Sequence, residues 1–152
     1  MDIPGSLLVE RWSARKWMAR IMVTWGLVAT AMGFLGMTAA GGLSLERQFY
    51  ALRLLLGIAE AGFFPGAIVY LSHWYCAADR PRAKAWFILA QPLAVALGIP
   101  ASRWILEHVA WSGLEGWRWV FILEGIAPVG MGFVTLFYLT DRPWQAKWLA
   151  AE

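Results

Sequence analysis

The chain has little of what catalytic and metal sites are usually built from. Only 15% of its 152 residues are charged, two are histidines, and one, Cys76, is a cysteine. A single cysteine excludes an intramolecular disulfide and a cysteine-based metal site. His73 and His108 lie on separate segments without a companion ligand motif. Neither Gly-x-Ser-x-Gly nor His-Glu-x-x-His occurs, so we expect no enzyme, no metal and no other cofactor.

Apolar residues, by contrast, make up 60% of the chain. Four stretches, 21–45, 49–76, 85–102 and 120–140, are uncharged except at Arg53, Glu60 and Glu124. About 20 residues of helix cross a hydrocarbon core of about 30 Å. The pattern predicts an all-α integral membrane protein with four transmembrane helices, at about 18–40, 49–73, 84–107 and 118–140. The chain then lies in a lipid bilayer.

The eleven tryptophans support the same spans. Ten of them fall near predicted span ends, where indole rings form an interfacial belt. Trp25 alone lies clearly within a span, where contact with a ligand is the alternative interpretation.

Lysine and arginine predict the orientation, because short loops rich in them stay in the cytoplasm. Nine of the thirteen fall on one side of the predicted spans and four on the other. The nine are expected to be cytoplasmic, and the four are Arg47, Arg53, Arg103 and Arg118. The net charge of +3 then reflects topology, and a nucleic-acid partner is not expected.

Two charges interrupt the second span on one helix face. Glu60 follows Arg53 by seven residues, about 20° short of two full turns, so both side chains project about 10 Å apart along a stripe shared with Gly57. Intramembrane charges usually face a cavity or a partner. Arg53 suits a carboxylate, and Glu60, near the midplane, suits the uptake and release of a proton. The alternative is that each pairs with a charge on another helix to hold the bundle.

Helix packing and bends are predicted from small residues and prolines. Pairs four residues apart, such as Ala29 with Gly33 and Gly57 with Ala61, allow close backbone approach. Pro65, with Gly62 and Gly66 beside it, predicts a bend just beyond Glu60. Glu124 is expected near the outer surface, paired with Arg118 or Arg103, and the alternative is that it lines the transport pathway.

The segment 53–75, "RLLLGIAEAGFFPGAIVYLSHWY", resembles the fourth helix of the anion:cation symporter family within the major facilitator superfamily. Arg53 and Gly57 match the Arg-x-x-x-Gly pattern of the superfamily, and the run from Glu60 to Gly66 is more specific to the family. Upstream, the chain is similar to the cytoplasmic loop motif between helices two and three, with serine in place of its glycine; the matching residues are Glu10, Arg11, Ser13, Arg15 and Lys16. Downstream, Pro100 stands where the family has a bend in helix five.

The resemblance implies symport of a small organic anion, such as a sugar acid, dicarboxylate or aromatic acid, with a proton or sodium ion. Arg53 is then linked to substrate binding, Glu60 to proton coupling, and Gln91 is a weaker candidate for substrate contact. The likeness runs from the end of helix two through helix six, with 141–152 opening the cytoplasmic linker. We therefore expect residues 1–152 to be part of the N-terminal half of a cell-membrane transporter, a fragment that needs the missing helices to transport.

Two other classes stay open. One is a small four-helix exporter that exchanges protons for drugs through a buried glutamate, for which Glu60 would serve. Arg53 on the same face would repel a cationic drug. The other is a non-transporting membrane subunit.

Overall fold

The computed structural model describes residues 13–37 and 44–146, which contain helices and turns and no strand. The all-α prediction is confirmed. The described ranges hold five α-helices and a short 3-10 helix: α1 (Ala14–Met32), α2 (Leu45–Glu60), α3 (Phe63–Trp74), α4 (Arg80–His108), α5 (Gly116–Tyr138) and the 3-10 helix Pro143–Gln145.

Three segments of the described chain are long and apolar enough to cross a membrane: Leu45–Trp74, Arg80–His108 and Gly116–Tyr138. The helix α1 is not among them, because Arg15, Lys16 and Arg20 lie in its first two turns. It also ends at Met32, eight residues before the predicted end at about 40. A turn follows over 33–37, and Gly36 in it has a φ of +74°, a left-handed conformation that a helix cannot continue.

The core lies around α1, which packs most extensively against α5. Glycines bring the two backbones close: a Cβ at Gly125 would lie 2.6 Å from the Thr30 nitrogen, and one at Gly26 would lie 2.6 Å from Val129 Cγ2. By contrast, a Cβ at Gly57 would meet no other atom within 4 Å in the described chain. The packing glycines are therefore mostly not the ones that the four-residue pairs predicted.

The start of α1 is tied to the segment that follows α5. The Ser13 hydroxyl accepts from the Lys16 backbone N–H at 3.2 Å and so caps the helix. The same hydroxyl donates to Asp141 Oδ1 at 2.8 Å, and the Arg15 backbone N–H donates to that oxygen at 2.9 Å. A carboxylate therefore satisfies the N-terminal end of α1, where the helix dipole favours a negative charge.

The far end of α1 is held by a positive charge from α5. Arg118 Nη1 donates to the carbonyl oxygens of Gly33 and Leu35, at 3.0 and 2.8 Å. Carbonyls at a helix C-terminus lack intrahelical partners and favour a cation. Residues in and beside α5 thus complete both ends of α1.

These contacts correct the expectation for Glu124. Its carboxylate accepts a hydrogen bond from Ser102 and pairs with neither predicted arginine. Arg118 is bound to the end of α1, and Arg103 pairs with Glu107 one turn along its own helix, at 2.8 Å. The Glu124 prediction was wrong because both arginines have nearer acceptors.

Candidate functional site

The predicted span at 49–73 is broken into two helices directly after Glu60. The Ala61 backbone N–H donates to the Gly57 carbonyl at 3.1 Å and closes α2. Gly62 follows with a φ of +91°, which residues other than glycine rarely adopt. Non-helical backbone at membrane depth occurs where it is enclosed by protein or lines a cavity. The break therefore marks the stretch around Glu60 as a candidate site.

The prolines singled out in the sequence lie inside helices. Pro65 is the third residue of α3 and Gly66 the fourth, so the break falls three residues before Pro65. Its missing N–H costs nothing there, because the first turn of a helix has no intrahelical acceptor for it. Pro100 lies within α4, which is assigned as one helix over Arg80–His108.

A cavity of about 650 Å³ opens at the break. Glu60 and Gln91 both line it, so the structure brings together two of the predicted site residues from α2 and α4. Trp25 of α1 forms another part of the wall. Aromatic rings and small residues make up most of the remainder, including Gly57, Phe63, Phe64 and Phe87. A mostly apolar cavity with few polar groups is the usual form of a small-molecule site.

Arg53 is not among the residues that line this cavity. Its exposed guanidinium lies over the ring of Phe49, with Cζ 5.3 Å from the ring centroid. Within residues 13–37 and 44–146 neither Arg53 nor Glu60 has an ion-pair partner. The alternative was that each of the two charges forms a structural ion pair. The described part of the chain contains no such pair for either of them.

Only part of the predicted loop motif lies within the described residues. Glu10 and Arg11 lie outside the described residues. Arg15 and Lys16 occupy the first turn of α1, and Arg15 Nε is buried without a hydrogen-bond partner in the described chain. Ser13, which replaces the motif glycine, takes the capping role at the start of that helix.

Only a weak signal in the sequence pointed to Trp25 as part of the cavity wall. Its place within a span, away from the interfacial belt, is what distinguishes it from the other ten tryptophans. That Trp25 shares a cavity with residues of α2 and α4 could not be predicted from spacing, because spacing relates residues within one helix. Across the described ranges no three His, Cys, Asp or Glu side chains come together as a metal site needs.

Comparison with known proteins identifies the family. The model of the Major Facilitator Superfamily matches residues 1–151. The chain belongs to the major facilitator superfamily. It is therefore a multi-pass membrane protein, in agreement with the three spanning segments among the described residues. No solved structure gave a significant match.

Named relatives of this superfamily member cover nearly its whole length. It is 46% identical over 151 residues, 99% of this chain, to the "Putative tartrate transporter" of Agrobacterium vitis, covering 33% of that protein. It is 43% identical to the "Putative metabolite transport protein NicT" of Pseudomonas putida, over 99% of this chain and 33% of that one. It is 36% identical to the "Quinolone resistance transporter" of Acinetobacter baumannii, again over 99% and 33%. The chain thus spans about a third of the length of these relatives.

Proposed function

We propose that this superfamily member takes part in the cation-coupled symport of a small organic anion across the cell membrane by alternating access. The anion is a carboxylate, such as a sugar acid, a dicarboxylate or an aromatic acid. The observation that carries the proposal is the cavity of about 650 Å³ at a helix break, where Glu60 and Gln91 lie together inside an apolar span. The family membership and the transporter names of the relatives support it.

Each polar residue has a role that its chemistry allows. Arg53 lies outside the cavity wall, one helical turn before the lining residue Gly57, and in this proposal it binds the substrate carboxylate at the edge of the cavity through its planar, permanently charged fork. Glu60 takes up the coupling proton on one side of the membrane and releases it on the other. Gln91 can donate and accept hydrogen bonds without adding charge, which suits an orienting contact to the substrate. The helices that complete the transport unit are further partners in this proposal, because the relatives are about three times as long.

The test of coupling is Glu60→Gln, which keeps the shape of the side chain and removes its proton exchange. The transporter is expressed with the sequence encoded on either side of this chain and reconstituted in liposomes, with labelled tartrate and aromatic carboxylates as probes. Proton-driven accumulation should be abolished, while counterflow exchange should persist, because exchange needs no net proton movement.

The matched control is Glu107→Gln, another exposed glutamate on a span, which lies away from the cavity. It should leave accumulation at the wild-type level. Normal accumulation by Glu60→Gln would exclude Glu60 from proton coupling. Accumulation driven by a sodium gradient alone would show that sodium is the coupling cation. Wild-type liposomes that take up no carboxylate would contradict the proposed function itself.

A proton-coupled drug exporter is the second candidate. It is favoured by the relative named as a quinolone resistance transporter. The same liposomes decide between the two: proton-driven quinolone transport without carboxylate transport would select the exporter.

A further inference from the structure

A second concave surface lies at the junction of α3 and α4, away from Glu60. This interfacial groove has a volume of about 590 Å³ and is lined mainly by Leu71, Tyr75, Asp79, Arg82, Trp86 and Phe87. The proposed transport mechanism gives these residues no role, although Phe87 lines both the groove and the cavity. Its residue types differ from those of the cavity, because it combines apolar walls with charges at one end.

The groove crosses the boundary between lipid and water. One spanning segment ends at Trp74 and the next begins at Arg80, so Asp79 and Arg82 lie at the membrane surface. Phe87 lies seven residues into α4, about 10 Å deeper along the helix. Trp86, which is 67% exposed, lies on the wall between these two levels. An occupant that fills the groove therefore needs a polar end and an apolar body.

The charged end of the groove favours an anion. Residues 76–87 contain three basic residues and one acidic residue. Arg80 is engaged, because its guanidinium donates to the carbonyls of Ser72 and Tyr75 at 3.0 and 3.1 Å. Asp79 accepts a hydrogen bond from Cys76 Sγ at 3.1 Å. Arg82, on the groove wall, has no ion-pair partner anywhere in the described residues.

We propose that the interfacial groove binds an anionic phospholipid, whose phosphate is held by Arg82 and whose acyl chain lies against Trp86 and Phe87. A guanidinium binds phosphate oxygens through two parallel N–H donors. Basic pockets between spanning helices at the membrane surface recognise acidic headgroups in this way. Tyr75, a residue that is 45% exposed on the groove wall, offers its hydroxyl to the headgroup.

Lipid is favoured over the other possible occupants by the combination of features. A water-soluble anion would leave the apolar wall formed by Leu71 and Phe87 uncovered. An apolar helix, whether from another protein or from the rest of the transporter, would cover that wall but would leave the Arg82 charge without a partner, which is costly in an apolar contact. A zwitterionic phospholipid would bring its own cation next to the arginine. An acidic phospholipid satisfies both ends of the groove.

The experiment compares two variants, each of which removes one positive charge, on opposite sides of α4. Lys84 is two residues from Arg82, about 200° around α4, and does not line the groove. The whole chain is purified in detergent and titrated with phosphatidylglycerol or phosphatidylcholine, and bound lipid is counted by native mass spectrometry. Wild type should retain phosphatidylglycerol preferentially. Arg82→Gln should weaken this binding about fivefold, which corresponds to about 1 kcal/mol for one basic residue near a membrane surface.

The matched variant Lys84→Gln should bind phosphatidylglycerol almost as wild type does. Helical content measured by circular dichroism should be equal in all three proteins, because Arg82 is exposed and makes no ion pair in the described chain. Equal retention of the two lipids would overturn the proposal, as would equal effects of the two variants, which indicate general surface charge. Displacement of the lipid by inorganic phosphate or glycerol phosphate at millimolar concentration would also overturn it, and would indicate a site for a free anion.

Discussion

Glu60 and Gln91 belong to different helices, yet both reach the cavity beside the Gly62 break. The sequence predicted Glu60 from its charge inside a span and Gln91 through the family resemblance, but helical spacing could not predict that they meet. Spacing did group Arg53 with Glu60 on one stripe, and in the structure only Glu60 lines the cavity. The spacing of residues determines on which side of one helix their side chains project. Whether those side chains line a cavity depends on where the neighbouring helices lie.

Arg53 can be tested by a change that keeps its charge. Arg53→Lys should weaken carboxylate binding about tenfold, because an ammonium cannot reproduce the two-pronged contact and loses about one charge-assisted hydrogen bond of about 1.5 kcal/mol. Substrate affinity is measured by counterflow in the liposomes described above. Arg103→Lys, on a surface ion pair of α4, is the control and should bind substrate normally. Unchanged affinity in Arg53→Lys would exclude Arg53 from the site.

Gly125 illustrates a packing role that the sequence did not reveal. Gly125→Ala should destabilise the protein by about 1 to 3 kcal/mol, because a methyl group there meets Thr30 on α1 and the two helices must separate. Gly130→Ala on the same helix meets no other described residue within 4 Å and should be neutral or slightly stabilising. Thermal unfolding in detergent, followed by tryptophan fluorescence, distinguishes them. Equal unfolding temperatures would contradict the close α1 to α5 contact.

Both ends of the helix α1 depend on charged side chains that lie outside it. Asp141 completes its N-terminal end, and Arg118 completes its C-terminal end. The sequence placed Ser13 in the loop motif before the first span, and it indicated neither its capping role nor Asp141, which is 128 residues away. Contacts of that separation follow from how helices pack, so local patterns cannot predict them.

The capping arrangement makes a testable prediction about the start of α1. Ser13→Ala should cost about 1 kcal/mol of stability, the usual value for a lost N-cap. Asp141→Ala should cost more, because it removes the acceptor for both the Ser13 hydroxyl and the Arg15 backbone N–H. The control is Ser44→Ala at the start of α2, where the serine makes no side-chain capping bond. Chemical unfolding in mixed micelles should rank the losses as Asp141→Ala, then Ser13→Ala, then Ser44→Ala, and any other order would contradict the capping model.

Composition was the feature of the sequence that best predicted the fold class of the whole molecule. The apolar stretches correctly indicated an all-α membrane protein, because a lipid core requires long helices whose backbone is satisfied internally. The same criterion missed the Gly62 break, since hydropathy averages over many residues and is insensitive to one backbone angle. It also overestimated the length of the first span, because residues 21–45 are uncharged but α1 ends at Met32.

Orientation is a prediction at this scale, and the single cysteine can report it. Cys76 is exposed in the turn between α3 and α4, on the side that carries nine of the thirteen basic residues. A membrane-impermeant maleimide should label it only when the cytoplasmic face is accessible, as in inside-out vesicles. The control is the double variant Cys76→Ser with Ser112→Cys, in the exposed loop after α4, which should be labelled in intact cells. The reverse labelling pattern would invert the predicted topology.

The break at Gly62 also has a mechanical consequence. The helix α3 has 12 residues and is therefore about 18 Å long, so a rotation of about 10° at the break would displace its far end by about 3 Å. That end carries Trp74 and leads into Tyr75, on the wall of the interfacial groove. A change in the angle at one glycine beside Glu60 would therefore alter the width of a surface site near the other end of α3.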